Sequence, residues 1–237
     1  MSFIIVADSH VQPDGLIERS FFEMLAMLGN SRYDIVFLGD IFDLWIGLPG
    51  YETPAQKDFL AWCRGQKNLR RIGLIEGNRE FFVSEMHADH FSWSTSATSW
   101  RSADGCQFVH GDRLNPDDRR YLLFRRLTKN PVTKMLLRGL PGGRSICRRL
   151  SRALRHTNWR YRQGLPEARI RQYAEGEFGD GLQAIFVGHF HSARKFELSP
   201  SRVLFLVPAW LKSGRVTRVD SGTGLLKVDF PDWKTLS

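Results

Sequence analysis

Short apolar runs rich in β-branched and aromatic residues recur along this chain of 237 residues, and they constrain its fold more than any other feature. Runs of this length, bounded by turn residues, are typical of buried β-strands. Eight strands are predicted: Phe3–Ala7, Asp34–Leu38, Arg71–Ile75, Cys106–His110, Gln183–Val187, Arg202–Val207, Arg215–Val219 and Leu225–Asp229. The core of the protein should therefore be built on β-sheets.

Two helices are predicted between the first three strands. The second spans Pro54–Gln66 and has its proline near the start, where a helix tolerates it. The first follows a 3.6-residue period through Leu16, Ser20, Phe21, Met24, Leu25 and Leu28. The first half is thus predicted as βαβαβ, and the last third consists of strands separated by turns. We predict a mixed α/β layered fold with residues 1–237 in a single domain.

The segment Asn115–Glu177 has helical patterning and is predicted as a helical insertion within this domain. Two apolar stripes at helical spacing lie in it, formed by Val132, Met135, Leu136 and Leu140, and by Ile146, Leu150, Ala153 and Leu154. A single stripe of this kind ordinarily packs on the core, and that is the expectation for each of them. The alternative is that a stripe faces a lipid.

Positive charge is concentrated in the same region. Residues 112–172 contain 17 Lys or Arg and four acidic residues, a net charge of +13 in a chain whose total is +9. A segment of this charge should face an anionic partner, such as a phospholipid surface, a nucleic acid or a phosphorylated substrate.

The sequence also argues against several classes of protein. No apolar run approaches the roughly 18 to 20 residues needed to cross a bilayer, and no secretory signal peptide is expected at the N-terminus. The three cysteines, Cys63, Cys106 and Cys147, lie far apart and are predicted to be reduced thiols. A protein that does not cross the membrane is therefore expected, although it could lie on one.

Polar side chains of one chemical kind follow five of the predicted strands. They stand in Asp8-Ser9-His10, Gly39-Asp40-Ile41-Phe42-Asp43, Gly77-Asn78-Arg79-Glu80, Val109-His110-Gly111-Asp112 and Val187-Gly188-His189-Phe190-His191. Side chains at the carboxyl ends of neighbouring strands converge in space, so the five segments predict one site. Each segment alone is a weak signal, but the five in this order are specific.

These residue types suit divalent metal ions. Imidazole nitrogen and carboxylate oxygen together favour borderline-hard ions such as Mn²⁺, Fe²⁺ or Zn²⁺. If the chain stays extended, a period of two turns Asp8 and His10 to one side, and likewise His189 and His191. Asp40 is the natural bridge between two ions about 3.5 to 4 Å apart, a spacing that suits clamping a phosphoryl group and activating a water. Glycines expected to permit tight turns or close backbone approach are Gly39, Gly77, Gly111 and Gly188.

The pattern DxH, GDxxD, GN, a later His and GHxH resembles the calcineurin-like metallophosphoesterase superfamily over the whole chain. The resemblance implies a β-sandwich flanked by helices, with two divalent metal ions: Mn²⁺ first, Fe²⁺ or Zn²⁺ as alternatives. The implied ligands are Asp8, His10 and His191 on one ion and Asn78, His110 and His189 on the other, with Asp40 bridging. The implied catalytic residues are Asp40, Asn78, Arg79 and His110, while Asp43 would support the ligands indirectly.

Arg79 stands where most of the superfamily has a histidine that protonates the leaving group. Arginine here is similar to the branch of UDP-2,3-diacylglucosamine pyrophosphatases, and so are the segments Ile41–Gly47, His110–Arg125 and Val207–Trp210. In that branch a helical cap encloses acyl chains at the position of the insertion. Substrate contacts are implied for Asn78, Arg79, Tyr121 and Asp118.

The resemblance also implies partners and a place in the cell. It implies a nucleotide-linked glycolipid substrate and an anionic membrane surface at the cytoplasmic face of the inner membrane, with no nucleic acid expected. The oligomeric state stays open.

Several residues depart from that branch and keep other interpretations open. They are Ser9, Glu80, Phe190, Pro208 and Arg215, together with the weakly matching Thr157–Arg160. One alternative is a metallophosphodiesterase acting on another nucleotide, lipid diphosphate or nucleic acid. The other is a non-catalytic binding protein of the same fold, which is disfavoured because no implied ligand is missing.

Overall fold

The computed structural model describes residues 2–13, 15–143, 145–147, 149–150, 165–179, 181–221 and 226–236. The strands are β1 Ser2–Val6, β2 Asp34–Phe37, β3 Trp45–Ile46, β4 Ile72–Ile75, β5 Glu80–Phe81, β6 Trp93–Thr95, β7 Ser99–Arg101, β8 Cys106–Val109, β9 Ala184–Val187, β10 Arg194–Ser199, β11 Arg202–Leu206, β12 Thr217–Ser221 and β13 Leu226–Asp229. The helices are α1 Leu16–Asn30, α2 Pro54–Gln66, α3 Val83–Met86, α4 Arg119–Thr128, α5 Pro131–Gly139, α6 Glu167–Glu177 and α7 Trp210–Ser213. All eight predicted strands and both early helices are present.

Two large sheets form the centre of the fold. One has the strand order β13-β12-β1-β2-β4-β6, and the other has the order β10-β11-β9-β8-β7. Their facing surfaces share one apolar core, in which the ring of Phe3 lies 5.4 Å from that of Phe108 and 5.8 Å from that of Phe186. The predicted mixed α/β layered fold is confirmed, and it is a sandwich of two sheets.

Helices cover the outer faces of the sandwich. Because side chains alternate along a strand, Ile4 and Val6 of β1 point away from the second sheet and pack with Phe21 of α1 and Phe59 of α2. On the opposite side, Ile170 of α6 packs against the five-stranded sheet. The parallel strands are thus buried on both faces, which explains their continuous apolar sequences.

The helical region between β8 and β9 contains α4, α5 and α6. The expectation that the first apolar stripe packs on the core is wrong, since its side chains are exposed: Val132 62%, Met135 67%, Leu136 60% and Leu140 48%. In the second stripe, Ile146 is partly buried against a small apolar cluster and Leu150 is 41% exposed.

Part of the predicted insertion lies outside the described residues. Ala153, Leu154 and Thr157–Arg160 lie outside the described residues, so the insertion boundaries Asn115–Glu177 stay a prediction.

Leu16 was expected on the buried face of α1, but it is 83% exposed because it lies at the helix start. Within the part of the chain that the structure describes, no helix combines the length and apolar character required to cross a bilayer.

Candidate metal centre

The carboxyl ends of five strands meet at one edge of the sandwich. Strands β1, β2 and β4 are parallel neighbours in the first sheet, and β8 and β9 are parallel neighbours in the second. The predicted polar segments follow these strands directly. The two sheets are joined there, since the backbone N–H of His189 donates to Asp8 Oδ2 at 2.8 Å.

Two groups of candidate ligands result. In the first, Asp8, His10 and His191 bring one ligand atom each to within 4.8 Å of one another. Asp8 Oδ1 lies 3.3 Å from Nε2 of His191 and 3.9 Å from Nε2 of His10. This group corresponds to the first ligand set implied by the sequence.

The second group contains Asp40, His110 and His189, again with ligand atoms within 4.8 Å. Asn78 completes it, because Asn78 Oδ1 lies 3.2 Å from Nε2 of His110 and 3.1 Å from Nδ1 of His189. The other ring nitrogen of His110 lies 2.8 Å from the Leu38 carbonyl oxygen, a contact that fixes the orientation of the ring.

Asp40 lies between the two groups. Its Oδ2 is 3.7 Å from Nε2 of His10 in the first group, and its Oδ1 is 3.6 Å from Nε2 of His110 in the second. Each carboxylate oxygen therefore faces a different group, as in a ligand that two metal ions could share.

Most of the candidate ligands have an unusual backbone. Among the described residues, six non-glycine residues have positive φ, and five of them are candidate ligands: Asp8 (52°), His10 (42°), Asp40 (53°), His189 (67°) and His191 (51°). The segments Asp8–His10 and His189–His191 were expected to be extended. That expectation is wrong, because all four of these candidate ligands have φ in the left-handed region. Such conformations cost about 1 to 3 kcal/mol each and concentrate at functional sites.

Two glycines allow the loops to approach one another. A Cβ on Gly77 would lie 2.4 Å from Asp40 Oδ1, and one on Gly39 would lie 2.6 Å from the Gly77 nitrogen. Gly39 also has a φ of 82°. The predicted close approach at these two glycines is confirmed.

The electrostatics favour the metal-binding protonation state at His10, His189 and Asp8, whereas at His110 burial is outweighed by the charges of Asp40, Asp112 and Asp8, which raise its pKa. Burial lowers the pKa of His10 and of His189, so both imidazoles are neutral at neutral pH. Burial opposes ionisation of Asp8, but the hydrogen bond from His191 and the neighbouring histidine charges hold its pKa well below the ordinary value. Neutral imidazole and ionised carboxylate are the states that metal binding needs.

The chemistry of the donors fits divalent ions. His10 Nδ1 is fully buried and has no hydrogen-bond partner among the described residues. Buried polar atoms of this kind normally have partners. The donor set of nitrogen and oxygen, with no cysteine in either group, suits Mn²⁺, Fe²⁺ or Zn²⁺. These residues could therefore hold two divalent ions.

The remaining predicted site residues lie around these groups. Arg79 is buried, its backbone N–H donates to Asp40 Oδ1 at 2.8 Å, and its charge contributes to the lowered pKa of His10. The hydroxyl of Tyr121 donates to Asp112, two residues after His110. Asp118 caps the start of α4 by accepting from the Tyr121 N–H at 3.0 Å. Substrate contact by these residues stays a prediction.

Glu80 is a residue whose role the sequence did not reveal. Its buried carboxylate accepts backbone hydrogen bonds from Asp40, Ile41 and Gly77, each at 2.8 Å. Burial and the charge of Asp40 raise its pKa to about 7. Its place two residues after the candidate ligand Asn78 was the available signal. Glu80 holds together the two loops that carry Asp40 and Asn78.

The fold of the chain, although not its sequence, is that of a known dimetal phosphatase. Over 98% of this chain and 96% of the other, the structure resembles the crystal structure of a dimetal phosphatase from Danio rerio, with a TM-score of 0.53 and 10% sequence identity. No family model matches the sequence.

Among curated proteins, the chain is similar to UDP-2,3-diacylglucosamine hydrolases. It is 27% identical to the one from Pseudomonas fluorescens strain Pf-5 over 96% of this chain and 95% of the relative. It is 28% identical to the one from Azotobacter vinelandii, over 98% of this chain and 99% of the relative. These matches confirm the resemblance inferred from the motifs. The chain is therefore similar to named hydrolases over nearly its whole length, and it has the fold of a dimetal phosphatase.

Proposed function

We propose that the protein hydrolyses the pyrophosphate bond of UDP-2,3-diacylglucosamine, giving UMP and 2,3-diacylglucosamine 1-phosphate, a step of lipid A biosynthesis. The observation that carries the proposal is the position of Asp40, with one carboxylate oxygen facing each ligand group. The full-length similarity to relatives named for this substrate supports the choice among phosphate esters and anhydrides.

The proposed metal ligands are Asp8, His10 and His191 on one side and Asn78, His110 and His189 on the other, with Asp40 shared. Two divalent ions bound there would polarise a phosphoryl oxygen and lower the pKa of a water molecule. The protein's own contribution is to hold five of these side chains on strained backbone and to favour the neutral imidazole at His10 and His189. Mn²⁺ is our first choice of metal.

Arg79 has the chemistry to bind the diphosphate. A guanidinium is a permanent planar cation that can donate to two phosphate oxygens at once. UMP is a good leaving group, so a histidine that protonates it is not essential. The backbone hydrogen bond from Arg79 to Asp40 keeps the arginine next to the proposed bridging ligand.

The exposed apolar side chains of α4 and α5 support a lipid-handling role. Leu123 and Leu127 of α4 are 58% and 61% exposed, close in value to the stripe on α5. Burying such groups against acyl chains or the bilayer boundary would be favourable, at about 25 cal/mol per Å². The surrounding cationic residues would attract an anionic leaflet. We propose that this surface faces the glycolipid and the cytoplasmic face of the membrane.

A substrate panel tests the proposal. Purified protein with Mn²⁺ would be given UDP-2,3-diacylglucosamine, bis-p-nitrophenyl phosphate and short oligonucleotides, with release of UMP followed by chromatography. We expect UMP from the glycolipid at a rate far above that on the other two substrates. Faster turnover of the aryl ester or the oligonucleotides would favour the phosphodiesterase alternative instead.

A further inference from the structure

Lys129 directly follows helix α4. Its side chain extends from the insertion to the loop that carries Asn78. Its ammonium donates to the carbonyl oxygen of Gly77 at 2.6 Å and lies 3.9 Å from Glu76 Oε2. It also lies 5.1 Å from the centroid of the Phe81 ring. The side chain is only 10% exposed. A lysine is rarely buried without a specific partner, and here the closest partner is a backbone carbonyl.

The two peptide groups that flank the Cα of Gly77 are both held. Lys129 binds the carbonyl oxygen of Gly77, and Glu80 accepts the Gly77 N–H at 2.8 Å. The next residue is Asn78, whose Oδ1 lies 3.2 Å from the His110 ring. Lys129 thus orients the peptide that leads into Asn78, and Glu80 orients the peptide before it.

The same helix also holds the loop of a second candidate ligand. Arg125 Nη1 donates to Asp112 Oδ2 at 2.7 Å, and the Tyr121 hydroxyl donates to the same oxygen. Asp112 is buried and stands two residues after His110. Helix α4 therefore contacts the Asn78 loop through Lys129 and the His110 loop through Tyr121 and Arg125.

We propose that Lys129 is a positioning residue that couples the insertion to the second ligand group. It orients the Gly77–Asn78 peptide, so that the position of helix α4 determines how well Asn78 and His110 bind the second metal ion. The inference deepens the proposed function and rests on it, because it requires that this group binds a metal. Residues that orient metal ligands typically change metal affinity by about 10- to 100-fold when they are removed.

The test compares Lys129→Met with Lys134→Met. Lys134 is a matched control: its side chain is 13% exposed, it pairs with Glu85, and it lies 6.0 Å from the Phe82 ring, but it contacts neither ligand loop in the described structure. Mn²⁺ binding by the apoprotein would be titrated by calorimetry and by electron paramagnetic resonance, which separates isolated from coupled ions. Thermal denaturation would be measured for each variant.

We expect Lys129→Met to bind one of its two Mn²⁺ ions about 10- to 100-fold more weakly, and to show isolated Mn²⁺ where the wild type shows a coupled pair. Lys134→Met should match the wild type, and Lys129→Arg, which retains charge and donors, should recover most of the affinity. If Lys129→Met does not fold, Lys129→Gln replaces it with the same expectation.

Two other results would distinguish a failure of the Lys129 role from a failure of the proposed function. Two Mn²⁺ ions bound equally well by Lys129→Met, Lys134→Met and wild type would overturn the role of Lys129 and leave the proposed function standing. A folded wild type that binds no Mn²⁺, Fe²⁺ or Zn²⁺ would overturn both.

Discussion

Glu80 Oε2 accepts a hydrogen bond from the backbone N–H of Asp40 at 2.8 Å, and this contact joins the loops of two proposed ligands. Glu80→Gln would turn an amide NH₂ toward at least one of the three N–H groups that the carboxylate accepts. We expect a loss of about 1 to 3 kcal/mol in the free energy of unfolding, and a fall in turnover of about tenfold or more. Urea denaturation and steady-state kinetics measure the two effects.

The exposed Glu197, which pairs with Lys195, provides the control for this change. Glu197→Gln should leave both stability and turnover near wild type. Equal behaviour of the two variants would show that Glu80 does not hold the loops.

Arg79 is the second residue to test. Arg79→Ala should lower turnover of the glycolipid strongly, and Arg79→Lys should not restore it, because an ammonium cannot form the planar two-oxygen contact. Steady-state kinetics on the glycolipid measures this. If Arg79→His raised activity on bis-p-nitrophenyl phosphate above wild type, the protein would be better described as a general phosphodiesterase.

Substitution of Tyr121 can distinguish two roles of this residue, which are contact with the substrate and support of the loop that carries His110. Its hydroxyl donates to Asp112, and Arg125 donates to the same oxygen. Tyr121→Phe removes one of two donors, so we expect a stability loss of about 0.5 to 1.5 kcal/mol and a modest fall in kcat. A large rise in KM with unchanged kcat would instead indicate direct substrate binding.

The apolar surface of α5 leads to a prediction about membranes. Met135→Gln/Leu136→Gln should reduce co-sedimentation with anionic liposomes, because these side chains are 67% and 60% exposed and would insert at the bilayer boundary. Binding should also weaken as salt rises, since charge attraction is screened over roughly 8 to 10 Å.

Leu16→Gln/Leu69→Gln is the matched control, as these residues are 83% and 74% exposed outside the insertion. Absence of wild-type binding to anionic liposomes at low salt would contradict the membrane role. In that case equal activity on long-chain and chain-free substrates would also remove the lipid role.

Much of the fold could be predicted because local and global signals agree. Helix α2 begins at Pro54, and Thr53 and Gln56 cap each other reciprocally, so its start is encoded within four residues. The parallel strands are buried on both faces and therefore form uninterrupted apolar runs. The prediction missed β3, β5, β6, β7 and β10. Strands β3 and β5 have only two residues each and are paired only with each other.

The candidate site could be predicted as a set of residues but not as a geometry. The resemblance carried by the motifs supplied the residues of both ligand groups. The left-handed turns at Asp8 and His189 could not be read from the sequence, since ordinary residues avoid them and only the surrounding packing holds them there. The exposure of the α5 stripe also depends on tertiary contacts, because an apolar helix face has the same pattern whether it packs on a core or faces lipid.

The dependence of turnover on bound metal is the decisive test of whether the protein is a hydrolase that uses two metal ions. Protein stripped with a chelator would be titrated with Mn²⁺, and Asp40→Ala would be treated in the same way. At each Mn²⁺ concentration, UMP release and the amount of bound metal would be measured, the latter by mass spectrometry. We predict no turnover by stripped protein, recovery that follows the binding of about two ions per chain, and a loss of orders of magnitude in folded Asp40→Ala. Full turnover by the stripped protein or by Asp40→Ala would contradict the account.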